Sequence, residues 1–336
     1  MKALLLAREP NHGDSTPALL SVANRPLLCH ALDWLAKGGI RDVAIMASDR
    51  IADAASDAVG DGSDWGFETH WMHRVPGETL GDSLSGLARF AGDGPVLVHQ
   101  ADSLTADPLE GLLGQAPVDE FGAVVLTRGA EPDAASVVSI HNGRRTGRGR
   151  SAGVAVFGGG VLSTLSDVDT APGSELVALT DHLTAATRNV VFREVDRWWR
   201  YDGSAGAMLS GNRFALERLR GRPVEANVKD CIIEGPVSID PSAQLESSTV
   251  RGPVVIGPGV RVVSAYLGPF TSVGANALIE GAEVENSVIL AGASIAYLDT
   301  RLEGSVIGAG SRVFRDFRLP RAMRLNIGGG AEVAVT

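Results

Sequence analysis

The chain has 336 residues, 44% of them apolar, and a formal net charge of −10. That size and apolar share suffice for a large core and point to two domains. The acidic balance argues against a nucleic-acid binder, which would carry a basic face. Lysine occurs only at Lys2, Lys37 and Lys229, so chemistry needing several lysines in one cleft is excluded. Cys29 and Cys231 lie far apart and offer no metal spacing, which fits free thiols in a reducing compartment. The chain opens on a strand pattern without a leader-like segment, and it holds no apolar run of membrane-span length. A soluble cytoplasmic protein is expected, with neither a membrane nor a nucleic-acid partner.

Ala3-Leu4-Leu5-Leu6-Ala7 reads as a buried strand that runs into a polar loop, and the apolar pattern recovers at Leu19. Arg25-Pro26 opens a helix pattern over Leu27–Ala36, with apolar residues spaced by three and four, stopped by Gly38-Gly39. Strands are predicted at Val43–Ala47, Phe67–Trp71 and Val96–Asp102, and helices at Ile51–Val59 and Thr79–Phe90. Strands alternating with helices imply a doubly wound parallel sheet, which binds ligands at the carboxyl ends of its strands. Asp102 would then face the same cleft as the 7–16 loop. Further strands are read at Ala123–Leu126 and Ala152–Phe157, and between them His141–Arg145 looks like a hairpin turn. The arginine- and glycine-rich run through Arg150 reads as exposed and mobile. Helices follow at Leu176–Thr187 and from about Ala205 to Leu219, the second after the turn Trp198-Trp199-Arg200-Tyr201-Asp202-Gly203-Ser204.

After Pro223 the helical spacing stops, and short apolar beats recur about every six residues. Ile256, Val262, Leu267, Val273, Ile279, Ile295, Ile307 and Val313 carry them, several followed by glycine. That period predicts a left-handed parallel β-helix, each aliphatic residue pointing inward and glycine relieving the corners. The predicted architecture is an α/β doubly wound, Rossmann-like domain over residues 1–223, followed by a hexapeptide-repeat β-helix over 224–336.

Several segments fall in one recognisable order. Leu19-Leu20-Ser21-Val22-Ala23-Asn24-Arg25-Pro26 resembles the L-L-P-V-A-N-K-P segment of the sugar-1-phosphate nucleotidyltransferases, in particular the long glucose-1-phosphate thymidylyltransferases of actinobacterial type. Gly38-Gly39-Ile40-Arg41-Asp42-Val43 is similar to the A-G-I-x-D-V of that family. Leu80-Gly81-Asp82-Ser83-Leu84, Glu175–Asp181 and Asn212-Arg213 also resemble its segments, and the coil closes the likeness. The resemblance implies a nucleotidyltransferase fold that binds a nucleoside triphosphate and a sugar 1-phosphate. The sugar phosphate attacks the α-phosphorus and releases pyrophosphate. It implies Mg²⁺ held by Asp102 and by the aspartate of a W-x-x-D-x-G turn, read here as Asp202. It places Ala7, Arg8, Gly13, Gly81, Asp102 and Glu175 around the ligand. A small-molecule ligand, a sugar phosphate or a nucleotide, and a homo-oligomer are the implied partners.

The family's G-G-x-G-T-R-L-x-P and P-K signatures are absent. The interval reads Arg8-Glu9-Pro10-Asn11-His12-Gly13-Asp14-Ser15-Thr16-Pro17-Ala18 and is about six residues shorter. Its consecutive glycines and signature arginine are gone, and Pro17 or Ala18 stands where the catalytic lysine would. The E-K-P signature is missing as well, and Arg144, Arg145, Arg148 and Arg150 are the available substitutes for its lysine. Among other candidates for new chemistry, His99 lies three residues before Asp102 and is a candidate general base. His70, His73 and His182 read as surface or satisfied histidines. The expectation is a diverged nucleotidyltransferase-like protein that has become a binder, a repurposed enzyme or a non-catalytic partner. The alternative is a working enzyme with an unusual loop.

Overall fold

Three consecutive leucines, Leu4, Leu5 and Leu6, can all be buried only in a strand covered on both faces. The computed structural model has that arrangement, with the three residues 0%, 0% and 5% exposed. It describes residues 1–7, 16–74, 87–113, 122–128, 136–141, 144–164, 175–186, 190–221 and 223–317. The main sheet has eight strands: β1 (Lys2–Leu6), β2 (Asp42–Ser48), β3 (Glu68–Arg74), β4 (Val96–Gln100), β5 (Ala123–Arg128), β6 (Ser136–His141), β7 (Arg144–Phe157) and β8 (Val190–Glu194). Their order is β8-β5-β7-β4-β1-β2-β3, and β6 is hydrogen-bonded to β7. Helices α1 (Leu27–Lys37), α2 (Asp49–Val59), α3 (Glu175–Ala185) and α4 (Ala205–Leu216) accompany it.

The period of two divides the core between the faces. Leu5, Ile45 and Leu97 pack with Leu28, Leu32 and Leu35 of α1 and with Ile51 and Ala55 of α2. Leu4, Leu6, Met46, Val98 and Phe157 pack on the other face with Leu176, Leu179 and Leu183 of α3. The sheet is doubly wound as expected, but it is mixed rather than wholly parallel. Strand β7 runs antiparallel to both β4 and β5. The arginine-rich run, expected as a mobile turn, is the first half of this strand and pairs with β6 from Arg144 to Arg150. The pattern at Trp198–Arg200 is likewise a strand, paired antiparallel with Ser103–Thr105.

The coil forms three parallel sheets of six, five and five strands. Each turn advances 17 residues where Val237 stands opposite Val254 and Val254 opposite Thr271. Leu245, Val262, Ile279 and Ile295 stack inside it at 2% exposure or less. The expected glycine corners are present at Gly235, Gly259, Gly281, Gly292, Gly304 and Gly310, and the same positive φ falls on other residues at Asp230, Ser247, Ser264, Phe270, Asn276, Asn286 and Tyr297. Polar residues tolerate this conformation through local hydrogen bonds, and the stacked aliphatic ladder fixes the turn whichever residue fills it.

The two parts meet along α4. The side chain of Asn212, fully buried, accepts a hydrogen bond from the Ala23 N–H at 2.9 Å and donates to the Phe270 carbonyl at 2.9 Å. Asn24 Nδ2 donates to the Val273 carbonyl at 2.6 Å, and the Arg213 guanidinium lies 4.3 Å from the Phe270 ring centre.

Candidate functional site

The carboxyl ends of β1, β2 and β4 border the cleft where the fold would bind a ligand. Ala7 stands just past β1, is 7% exposed, and donates its N–H to the Met46 carbonyl at 2.9 Å. Arg8, Gly13 and Gly81 lie outside the described residues, as do most of the residues expected to form the Thr79–Phe90 helix. Glu175 is the first residue of α3.

Strand β4 ends at Gln100, so Asp102 sits two residues beyond it in a turn. The bend takes Asp102 and His99 into different surroundings. Asp102 is fully buried, and its Oδ2 accepts hydrogen bonds from both Nε and Nη2 of Arg200 at 3.3 Å. The Arg200 side chain is itself only 14% exposed. The Tyr201 N–H donates to the Asp102 carbonyl at 2.9 Å, which ties the Trp198–Arg200 strand to the end of β4. A bulge in β7 lies against the same point. Gly153 adopts φ +75°, and a Cβ there would come within 2.5 Å of the Ser103 hydroxyl. Trp198 Nε1 donates to the Ala152 carbonyl at 2.8 Å and holds the bulge in place. Bulges of this kind re-aim side chains beside functional sites.

Asp202 is exposed and acts as a turn cap. Its Oδ1 accepts from the Ser204 N–H at 2.9 Å and from the Ser204 hydroxyl at 2.7 Å, and the Ser204 hydroxyl in turn caps α4 by accepting from Ala207 N–H at 3.0 Å. Reading W-x-x-D-x-G from Trp198 so that its glycine falls on Gly203 places Tyr201, not Asp202, at the carboxylate position. As arranged, the pair does not fit a divalent cation. Mg²⁺ takes oxygens near 2.1 Å in octahedral order. It would have to sit beside the guanidinium held on Asp102 Oδ2, reaching only the buried Oδ1, and take Asp202 Oδ1 from Ser204. Among the described residues, Asp42, Glu68 and His70 form a cluster with ligand atoms within 4.8 Å of one another. They stand at the amino ends of β2 and β3, at the opposite end of the sheet from Asp102.

His99 is a core residue, 1% exposed. Its Nδ1–H donates to the Gln100 carbonyl at 2.8 Å, and its ring tilts against Trp34 at 5.5 Å. Burial pushes its pKa down from the ordinary 6.5 to about 4, against the opposing effects of the Gln100 hydrogen bond and the Asp102 charge. Neutral burial stabilises the fold fully above about pH 6.5, and that contribution is lost as the pH falls from there through about 4. The free energy at stake is about 3 kcal/mol. Urea unfolding at pH 7 and pH 4.5 should show the loss, and His99→Phe should flatten the dependence. An unchanged slope in that variant would place the acid sensitivity elsewhere. His30 and His99 also line a cleft of about 1260 Å³ between α1, the end of α4 and the coil, which does not include Asp102.

Arg200 is the site residue without a motif to announce it. It lay inside the Trp198–Ser204 turn as an unassigned position, and the signal for it was a basic residue beside an expected carboxylate.

The fold and the strand-end aspartate together define a nucleotidyltransferase-type α/β domain carrying a left-handed β-helix. Relatives named glucose-1-phosphate thymidylyltransferase match the whole chain. The one from Streptomyces antibioticus is 27% identical over 360 residues, covering 100% of this chain and 99% of the relative. The one from Streptomyces griseus is 29% identical over 362 residues, covering all of both. A low-salt glycan biosynthesis nucleotidyltransferase of Haloferax volcanii is 27% identical over 94% of this chain and 93% of its own length. No family model matches. A crystal structure from Bacillus anthracis, assigned to the glucose-1-phosphate thymidylyltransferases and holding sucrose, shares the fold. Its TM-score is 0.55 at 17% identity, over 66% of this chain and 97% of that one. The resemblance therefore holds along the full length: the chain is similar to the glucose-1-phosphate thymidylyltransferases from end to end. Among the described residues no helix is long and apolar enough to cross a membrane.

Proposed function

We propose that the chain binds a small phosphorylated ligand, a sugar phosphate or a nucleotide, and does not carry out ordinary nucleotidyl transfer. The observation that carries this reading is the composition of the segment from Arg8 to Ala18. It offers one arginine, the carboxylates of Glu9 and Asp14, and two prolines without an N–H, where a triphosphate needs cations and donors. Ala7, Arg8, Gly13, Gly81 and Glu175 are the positions assigned to the ligand; Asp102, assigned with them, is fully buried against Arg200 and acts on a ligand only through that guanidinium, and His99, buried in the core, has no catalytic part in this reading. Mg²⁺ bound between Asp102 and Asp202 is no part of it either, given the partners those carboxylates hold. Such a protein serves as a repurposed binder or as a non-catalytic partner of an active relative. A homo-oligomer joined through the coil, where Ile232 and Phe314 are 57% and 54% exposed, completes the proposal.

A working glucose-1-phosphate thymidylyltransferase is the second reading, favoured by the full-length similarity to two proteins of that name.

Melting curves of the full chain test the binding half. Millimolar dTDP or glucose 1-phosphate should raise the midpoint by a few degrees, since saturation at about 100 Kd stabilises by about 2.7 kcal/mol. Thymidine and glucose, lacking phosphate, should not. If no phosphorylated compound shifts the midpoint, the chain is not a binder of this class.

A further inference from the structure

The buried carboxylate at the end of β4 already holds a cation. Asp102 is fully buried, and a deeply buried carboxylate persists only when paired. Its partner is the guanidinium of Arg200, which places two N–H donors on Oδ2 at 3.3 Å and is 14% exposed. The pair is set by backbone as well as by side chains. Trp198–Arg200 is a strand that pairs with Ser103–Thr105, Arg200 opposite Ser103, and Tyr201 N–H binds the Asp102 carbonyl. The register that aims Arg200 at Asp102 is therefore built into the sheet.

A second, independent change points the same way. Read from Trp198, the reading that keeps its glycine at Gly203, the W-x-x-D-x-G pattern puts Tyr201 at its carboxylate position. The next residue, Asp202, spends its Oδ1 on Ser204.

We infer that Arg200 stands in for the divalent cation at Asp102, so that this carboxylate is a latent metal site plugged by the chain's own guanidinium. A phosphate brought to this carboxylate would meet a planar, permanently charged donor instead of a hydrated ion. The inference is independent of whether the cleft turns over nucleotide.

Mn²⁺ alone, read by its electron paramagnetic resonance signal and by calorimetry on the full chain, tests it. The native chain should show no Mn²⁺ binding that Asp102→Asn removes. Arg200→Ala should gain one Mn²⁺ at least tenfold tighter than any native binding, and adding Asp102→Asn to that variant should abolish it. Arg200→Met, which keeps the side-chain volume, should gain the same site, and Arg200→Lys should not. The inference fails if the native chain binds Mn²⁺ in a way that Asp102→Asn weakens. It also fails if folded Arg200→Ala and Arg200→Met both bind no Mn²⁺, for the pair is then a structural ion bridge only. If neither variant folds, Arg200→Gln takes their place: a folded Arg200→Gln that gains Asp102-dependent Mn²⁺ binding supports the inference, and one that binds none overturns it.

Discussion

Incubated with dTTP, Mg²⁺ and glucose 1-phosphate, the chain should release no pyrophosphate above the buffer background. Phosphoryl-type transfer depends almost wholly on positioning and charge stabilisation, and losing one preorganised donor lowers the rate by ~10²–10³. The segment from Arg8 to Ala18 lacks the signature glycines, the arginine and the lysine together. Each lost charge-assisted hydrogen bond is worth about 1.5–3 kcal/mol. Losing two therefore weakens nucleotide binding by roughly two orders of magnitude or more before chemistry begins. The arginines available as substitutes, Arg144 to Arg150, lie on a strand whose backbone is paired with β6 and, at Arg150, with β5. That run is part of a sheet extension, not a loop free to fold over the cleft. The assay should be repeated with the other common nucleoside triphosphates and with an Arg144, Arg145 and Arg148 triple-alanine variant. Turnover on the order of 1 s⁻¹ with any of them would establish the working-enzyme reading. Loss of that turnover in the triple variant would then identify the cations responsible.

Where the sequence carried a strong period, the elements were legible from it. Leu27–Lys37 forms the expected helix because its apolar residues fall on one face and Gly39 terminates it at φ +77°. The coil was legible because aliphatic residues must recur at each turn to fill a narrow interior. What escaped were features set by partners distant in the chain. Strand β7 runs antiparallel inside an otherwise mostly parallel sheet, a direction that depends on connection geometry and not on its own residues. Its arginine-rich first half reads as a turn by composition, yet pairing with Ser136–His141 makes it a strand. In the site, Asp102 was legible as a carboxylate at a strand end. Its pairing with Arg200, 98 residues later, follows from the register of two short strands and has no local signature. His99 was one of several candidate bases, and only the tertiary burial against Trp34 assigns it to the core. Residues 1–223 and 224–336 remain our proposed division, drawn from the change of period at Pro223.

Replacing Asn212 by leucine should destabilise the protein by about 2–6 kcal/mol and loosen the coil from the α/β domain first. Asn212 is fully buried and bridges three pieces of chain. Its Oδ1 satisfies the Ala23 N–H and its Nδ2 satisfies the Phe270 carbonyl, each at 2.9 Å. Ala23 and Asn24 have φ of 47° and 61° between the paired strands Ser21–Val22 and Arg25–Pro26. That is a two-residue hairpin with positive φ at both central positions, a conformation that asparagine tolerates and that costs alanine energy unless its surroundings hold it. Asn212 supplies the support from α4, and Asn24 carries it on to the Val273 carbonyl in the coil. Leucine matches asparagine roughly in size but offers neither donor nor acceptor. Two buried backbone groups are then left without partners, at about 1–3 kcal/mol each. Asn212→Asp keeps the acceptor and should fall between the two. Urea unfolding followed by tryptophan fluorescence reads the α/β part, because Trp34, Trp65, Trp71, Trp198 and Trp199 all lie in it. Backbone circular dichroism reads the whole chain. In the native protein the two signals should change together. In Asn212→Leu the fluorescence transition should move to lower urea while a coil transition persists at the native midpoint. A loss below about 0.5 kcal/mol would show that the seam is held by the apolar contacts of α4 and not by this side chain. Coincident transitions in the variant would show that coil and sheet unfold as one unit, and the division near Pro223 would have to be given up.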